Sequence, residues 1–486
     1  MKKFVFYFFP ILIGFFLFSC REEEELKGNQ APNTSFSIEE INLSGDNRLN
    51  SIVRLSWYGK DPDGYVTAYE LSEDGQNWNY TQAQDSTFQF SFSGNTDTAD
   101  IELYVRAIDN EGLRDPSPDY LKIPIKNTPP VVNFDEDLSI PDTTILVATT
   151  EWKATDLDGQ ETITEVLISL NGRDWQNINR TKNIISIAPI DPLANDTTQA
   201  QVYYDTEESP SSVILDGLVL NDTNKLFIKV IDQAGTESAV DTSNTFFLKG
   251  KKNDVLIAGG VEASSVNPSI FYQNIFNQIN VDYDIIDFLA YNGLYRPKIW
   301  NITFKLQLSY YDKLFFFSNE STYRNPYTNL SAMLLESAAP SLQSFANAGG
   351  KYFISTTFLY TSNIDAFVGV LPVQSKSSTS TLSAVLRQDS SLVSPLSNFP
   401  DLQSNSFLLT NIGVYNIDSV DSEVLYEANI NRNFSDPWND TKIIASGRRL
   451  NGQLNQVFFN IQLWQMNKDQ SKLEDLFDQI FNVEFN

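Results

Sequence analysis

Trp57-Tyr58-Gly59-Lys60-Asp61-Pro62-Asp63-Gly64 returns 95 residues later as Trp152-Lys153-Ala154-Thr155-Asp156-Leu157-Asp158-Gly159. In both copies a stretch carrying Trp runs into a turn made of two Asp and a Gly, residue types that favour turns through local hydrogen bonds and backbone freedom. Two further anchors recur in the same order. Ser72-Glu73-Asp74-Gly75-Gln76-Asn77-Trp78 matches Ser169-Leu170-Asn171-Gly172-Arg173-Asp174-Trp175, and Val105-Arg106-Ala107-Ile108-Asp109-Asn110-Glu111-Gly112 matches Ile228-Lys229-Val230-Ile231-Asp232-Gln233-Ala234-Gly235. Three anchors in one order mark a duplicated unit. Around the first copy, apolar and polar residues alternate over 52–58, 65–72, 87–92 and 101–108, with turn residues between. That period of two predicts half-buried strands and an antiparallel β-sandwich. The two modules are expected at 34–127 and 128–250, joined at Asn127-Thr128-Pro129-Pro130. The second copy is 26 residues longer after Trp175, and 180–212 is the place for the insertion.

This order of a Trp strand, an Asp-rich turn, a Ser-x-Asp-Gly hairpin and a Val-Arg-Ala-x-Asp strand resembles fibronectin type III or related immunoglobulin-like modules, over about residues 34–250. The resemblance implies that Trp57 and Trp152 pack between the sheets, that no disulfide is needed, and that the modules serve as spacers or binding platforms. It also places the loop after the Trp strand beside the loop after the Val-Arg-Ala strand. Asp61 and Asp63 are then expected near Asp109 and Glu111, and Asp156 and Asp158 near Asp232. Clustered carboxylates are the oxygen ligands that Ca2+ prefers. The turn propensity of Asp and Gly accounts for the same residues without an ion. No other cofactor is expected.

From residue 251 the texture changes. Apolar runs at 254–258, 283–288, 313–318, 351–356 and 456–460 alternate with helical spacing at 268–279, 330–347 and 468–481. Alternating strands and helices imply a parallel sheet covered on both faces. Val255-Leu256-Ile257-Ala258-Gly259-Gly260, Tyr311-Asp312-Lys313-Leu314-Phe315-Phe316-Phe317 and Gly349-Gly350-Lys351-Tyr352-Phe353-Ile354 carry a resemblance to the class I glutamine amidotransferase-like, flavodoxin-related fold. The expected fold class is therefore multidomain, with two antiparallel β-sandwiches followed by an α/β flavodoxin-like domain over 251–486. Catalytic members of the resembled family carry a Cys on a Gly-flanked elbow after the fourth strand, and an activating His. Here Ser355-Thr356-Thr357 stands at that place. The resemblance thus implies the architecture without the chemistry. Glu320 follows the third strand at its carboxyl end, where such sheets bind ligands, and is the candidate ligand residue. Paired with Asp365 or Asp436 it is also a candidate for carboxylate catalysis on sugars. Gly259-Gly260 is not followed by a phosphate-loop pattern.

Composition narrows the functions. The 486 residues hold 34 Lys and Arg against 62 Asp and Glu, a net charge of -28. Such a surface repels phosphate backbones, so nucleic acid is not an expected partner. There is no His, which removes imidazole bases and His-bound zinc, and one Cys, which removes internal disulfides. That Cys ends the stretch Met1-Lys2-Lys3-Phe4 to Leu17-Phe18-Ser19-Cys20, a positive start followed by an apolar run too short to span a membrane comfortably. The ending resembles a bacterial lipobox, which implies a signal peptide over 1–19 and lipid on Cys20. Arg21-Glu22-Glu23-Glu24-Glu25 is similar to the export signal of surface-exposed lipoproteins, and reads equally as a solvated tether over 20–33. The expected location is the outer membrane, facing outwards. An Asp-Ser or Asp-Thr pattern at Ser86, Thr98, Thr143, Thr197 and Ser419 resembles an O-glycosylation signal. Trp78, Trp175, Trp300 and Trp438 are candidates for stacking on sugar rings. Three functions fit: a non-catalytic binding or scaffold lipoprotein for a glycan or envelope protein, a carboxylate-dependent carbohydrate hydrolase, and a structural part of an export or adhesion complex.

Overall fold

The computed structural model describes residues 28–38, 41, 48–90, 92, 96–261, 267–358, 364–377, 384–432 and 437–486. They form two compact units, one up to Asn127 and the other from Thr128 to Asn486.

The first unit is an antiparallel β-sandwich. Asn33–Phe36, Ile52–Lys60 and Asp85–Gln89 form one sheet in that spatial order, and Asn79–Thr81, Val66–Ser72, Thr98–Asp109 and Asp119–Lys126 form the other. Along Ile52–Lys60 the alternation is strict at first: Val53, Leu55 and Trp57 point inward while Ile52, Arg54, Ser56 and Tyr58 face solvent. Trp57 is 1% exposed, edge-on to Tyr69 at 6.4 Å, as the resemblance implied.

The second module repeats this plan. Gln176–Ile178, Ile163–Ser169, Phe227–Asp232 and Asp241–Thr242 form its four-stranded sheet. Val131–Phe134, Ala148–Thr155 and Ile184–Pro189 correspond to the three strands of the first module's other sheet, and Trp152 is buried like Trp57. Within the 180–212 segment the chain adds Thr197–Tyr204, and Ile214–Val219 follows, so this sheet has five strands. Ile184–Pro189 is buried along its whole length. Ile185 and Ile187 enter the core between the two sheets, whereas Ile184 and Ala188 enter a second core shared with the α/β part.

That α/β part is built on a nine-stranded sheet. Asp284–Asp287, Val255–Gly259, Lys313–Phe317, Lys351–Ser355 and Gln453–Phe459 lie side by side and parallel. Numbered by their position in the chain, they run 2-1-3-4-5. Ile443–Leu450 and Ser422–Ala428 continue the sheet antiparallel, with Ser391–Val393 and Leu402–Gln403 at its edge. Helices α1 (Pro268–Gln278), α2 (Trp300–Leu308), α3 (Leu334–Asn347) and α4 (Gln470–Asp478) surround it. Residues of α1 and α4 join the core on one face, and those of α2 and α3 the core on the other. Local signals set the ends: Asn267 caps α1 by accepting from the Ile270 N–H, with Pro268 as its first residue, and Gly349 at φ +92° ends α3. Gly259 is required where the first strand ends, because a Cβ there would lie 1.9 Å from the Phe317 carbonyl oxygen.

One expectation changes, and one element was not expected. Residues 330–347 are not helical throughout: Ser331–Met333 pairs with Thr322–Arg324 as a small hairpin, and α3 begins at Leu334. Helix α2 had no clear amphipathic stripe to announce it. Seven of its nine residues are buried, because it lies between the parallel sheet and the second sandwich.

Candidate functional site

The carboxyl ends of Lys313–Phe317, Lys351–Ser355 and Gln453–Phe459 open into a cleft of about 440 Å3. Connections at this end of a parallel sheet leave the strand chain on loops, so side chains of distant sequence segments converge there. Glu320 comes from the loop after the third strand, Thr357 from the loop after the fourth, and Asn460, Gln462 and Trp464 from the segment after the fifth. The opposite wall is the Leu408–Thr410 strand with Asn411, Ile412 and Gly413. Among the described lining residues Glu320 is the single charged one.

The hydroxyls at the place of the expected nucleophile are occupied structurally. Ser355 Oγ donates to the Ile461 carbonyl at 2.9 Å and accepts from the Leu463 N–H. Thr356 shares a 2.8 Å hydrogen bond with Ser318, and both are fully buried. Thr357 donates its hydroxyl to the Glu320 carboxylate, holding that side chain at the cleft. Asn460 braces two walls, accepting from the Phe358 N–H at 2.7 Å and donating to the Gly413 carbonyl at 2.8 Å. Gln462 donates to the Ser318 carbonyl, which leaves its buried Oε1 without a donor; the indole N–H of Trp464 is likewise buried and without an acceptor.

The acidic turns of the two modules meet the loops expected beside them. In the first, the Tyr65 N–H donates to Asn110 Oδ1 at 2.9 Å, so the loop after the Trp strand lies against the loop after Asp109. Asp61 accepts from the Asp63 N–H, Asp63 from the Gln30 N–H, and Asp109 from the N–H groups of Glu111 and Leu113 and from Asn29. Burial pushes the Asp61 carboxyl up, helped by the nearby charges of Asp63 and Asp109. Burial opposes ionisation of Asp109 too, but hydrogen bonds from Asn29 and from backbone N–H groups outweigh it and hold that carboxyl low. In the second module Asp156 accepts from the Asp158 N–H and the Thr162 hydroxyl, Asp158 from the Thr128 N–H and Asp232 from the Thr236 N–H. Burial raises Asp156, with Asp158 and Asp232 adding to it. Among the described residues no three acidic groups are placed to hold a metal ion. The carboxylates close turns and tie them to Asn29, Gln30 and Thr128.

No family model matches the chain, and no curated protein matches it. Among solved structures it is similar to the fibronectin(III)-like modules of CbhA from Clostridium thermocellum, at 12% identity over 45% of this chain and 94% of that one, with a TM-score of 0.16. The PKD1 domain of Epp from Vibrio anguillarum is 18% identical over 20% of this chain and 98% of its own, with a TM-score of 0.14. Carbohydrate-binding modules from the β-sandwich superfamily match at 12% identity, over 46% and 86% of the two chains, with a TM-score of 0.16. Likenesses this faint carry no argument, and the sandwich assignment rests on the sheets themselves.

The remaining candidates fall in different places. Trp300 and Trp438 are 4% and 7% exposed and belong to the two cores of the α/β part, so they cannot stack on a ligand. Trp78 and Trp175 are half-buried at equivalent hairpins, the first under the Arg106 guanidinium at 4.0 Å and the second under Lys229 at 5.1 Å. Thr98, Thr197 and Ser419 are exposed, and Ser86 and Thr143 half-buried within strands. Cys20, Asp436 and the side chain of Asp365 lie outside the described residues. Glu320 was legible as a cleft residue from its position after a strand. Gln462 and Trp464 were not, since nothing in Gln462-Leu463-Trp464 distinguishes them from a core segment before the strand order is known.

Proposed function

We propose that the chain is a bacterial lipoprotein, held in the outer membrane through Cys20 and facing outwards, that binds a glycan or an envelope protein in its α/β part without transforming it. The observation that carries the reading is the cleft at the carboxyl end of the parallel strands. Among the described residues it gathers amides, hydroxyls and the Glu320 carboxylate at the strand ends, where α/β sheets bind ligands. The 2-1-3-4-5 strand order supports a flavodoxin-related, amidotransferase-like ancestry for this part. The engagement of Ser355 and Thr356 in buried hydrogen bonds supports binding over acyl transfer.

The test uses the immobilised protein and an extract of its own cell envelope. Retention of polysaccharide or of one protein, chemically unchanged, is expected, and a cleft filled by Thr410→Trp should abolish it. Shortened polysaccharide chains would assign a hydrolase instead. Retention that survives Thr410→Trp would move the binding site away from the cleft. Removal of the anchor by Cys20→Ser is expected to shift the chain from the membrane to the soluble fraction, and an unchanged distribution would overturn the anchoring.

A further inference from the structure

We propose that the first module pairs with a second copy of itself along the strand Asp85–Gln89, joining two three-stranded sheets into one of six strands. This surface is independent of the cleft.

The register shows which groups the strand presents. Asp85–Gln89 runs antiparallel to Ile52–Lys60, with Val53 opposite Phe88 and Leu55 opposite Ser86. In the same register the Phe90 N–H donates to the Ser51 carbonyl at 3.0 Å, and the Trp57 N–H to the Gln84 carbonyl at 2.9 Å. Hydrogen-bonded pairs alternate along an antiparallel ladder. Ser86 and Phe88 therefore direct their N–H and C=O groups at Ile52–Lys60, whereas Asp85, Thr87 and Gln89 direct theirs away from it. Among the described residues Asp85–Gln89 ends the sheet on that side, and Asp85 and Thr87 are exposed.

The duplicated module shows what such an edge takes. The Trp152 N–H donates to the Asn183 carbonyl as Trp57 does to Gln84. Thr87 is thus the counterpart of Ser186, and Asp85 and Gln89 are those of Ile184 and Ala188. In that copy the outward groups meet the strand Thr197–Tyr204: Ser186 lies opposite Tyr203, and the Asp205 N–H donates to the Ile184 carbonyl at 3.0 Å. The first module has the same edge without that strand among its described residues. Edges of this kind are commonly guarded by Lys, Pro or a bulge. Asp85-Ser86-Thr87-Phe88-Gln89 has neither Lys nor Pro, and its register with Ile52–Lys60 is unbroken. Its one charge stands at the end of the strand and is already paired, Asp85 with Arg54 at 3.2 Å.

Self-complementarity selects a second copy as the occupant. With a two-fold axis at Thr87, that residue faces Thr87 of the second copy and Asp85 faces its Gln89. Such a contact uses the same patch twice and closes on itself. This register overlaps the whole strand and joins the outward backbone groups into one ladder. It also sets each Asp85 carboxylate against an amide and keeps the two carboxylates apart, where like charges directly opposed would destabilise the pair.

The test is sedimentation of the full chain in detergent, with micelles in excess over protein, combined with cross-linking. A strand this short makes a small contact, so a reversible dimer is expected at roughly 10–500 µM. Each copy carries a net charge of -28, so the dimer should tighten severalfold as salt rises from about 0.05 M to about 0.5 M. Thr87→Pro removes an N–H that makes no bond to Ile52–Lys60, and Pro is tolerated at such edge positions. It should abolish the dimer while the amides of Ile52–Lys60 keep their exchange protection. Thr87→Cys should cross-link to itself under copper phenanthroline, because residues facing in a hydrogen-bonded pair lie about 5.5 Å apart. The parent, whose one Cys is Cys20, sets the background. Asp85→Cys should link to Gln89→Cys when the two variants are mixed, and not to itself. A monomer at every concentration up to about 1 mM would overturn the proposal. A dimer that Thr87→Pro leaves intact, or that Thr87→Cys fails to link, would overturn it too. If the chain stays monomeric while Thr87→Pro releases an envelope protein that the parent retains, the edge takes a foreign strand and the second copy is wrong. The cleft is judged separately, by Thr410→Trp.

Discussion

Gln307 of helix α2 donates its side-chain amide to the Ile145 carbonyl at 3.0 Å and reaches Thr144 Oγ1 at 3.2 Å. A helix of the α/β part is thereby tied to a strand of the second sandwich inside a common core. Around this bond, Leu146, Ile184 and Ala188 of the sandwich and Phe304 and Leu308 of the helix belong to one buried cluster. The second sandwich is thus a structural part of the cleft-bearing unit, which its resemblance to a free-standing module did not suggest.

Residues 128–486 should therefore unfold as one cooperative body. Phe304→Ala leaves a cavity in the common core and is expected to cost about 3–5 kcal/mol. Hydrogen exchange under native conditions provides the check. Amides of Ile184–Pro189 and Val255–Gly259 should lose protection together in the variant. Loss confined to the α/β strands would show two separate bodies.

Trp57→Ala should cost a similar amount, about 3–5 kcal/mol, but in the first module. Trp57 and its counterpart Trp152 are each buried between sheets, and neither indole N–H has a hydrogen-bond partner. Their contribution is therefore packing. Trp57→Phe keeps the apolar contact and breaks no hydrogen bond, so it should cost clearly less than Trp57→Ala. Equal losses in urea titrations followed by exchange at Thr98–Asp109 would contradict a packing role.

These elements differ in how far sequence could reveal them. Ile52–Lys60 announces itself because one face meets the core and the other water, which writes a period of two into the residues. Ile184–Pro189 has no such period, since alternate side chains enter two different cores, and its segment read as an insertion. Helix α2 lost its stripe for the same reason: both of its faces are covered. The cleft was half legible. Glu320 follows a recognisable strand, whereas Leu408 and Trp464 reach it only through pairings made far along the chain.

Glu70 gives the first module an acid-sensitive contact. It sits beneath Arg106 at 2.6 Å and Arg114 at 3.1 Å, with Arg106 also stacked on Trp78. Burial alone would raise its carboxyl, but hydrogen bonds and charge from the two guanidinium groups outweigh it and hold it below the usual range. A depressed folded-state value means that the carboxylate stabilises the fold above its unfolded value, about 4.3, and that this contribution is lost as pH falls through the folded value. The stability of the module should therefore decline below about pH 4.3 more steeply than in Glu70→Gln. Identical slopes for the two proteins, followed by urea unfolding across that range, would remove the pair from the acid response.

Asp156, in the acidic turn of the second module, behaves in the opposite sense, and this separates a turn from a calcium site. Asp156 is raised by burial and by the charges of Asp158 and Asp232. A raised carboxyl costs nothing while it is protonated in both states, and destabilises the fold as pH rises through the unfolded value towards the folded one. At neutral pH, Asp156→Asn removes that penalty. An Asn Oδ1 can still accept from the Asp158 N–H, as the carboxylate does at 2.8 Å. The variant should consequently melt higher than the parent at pH 7, by a margin that vanishes below about pH 3.9, the ordinary Asp value. Neither melting temperature should respond to Ca2+ or to a chelator. If Ca2+ raises the parent's melting temperature and Asp156→Asn abolishes the rise, the carboxylates hold an ion, and the turn-closing account of Asp156, Asp158 and Asp232 is wrong.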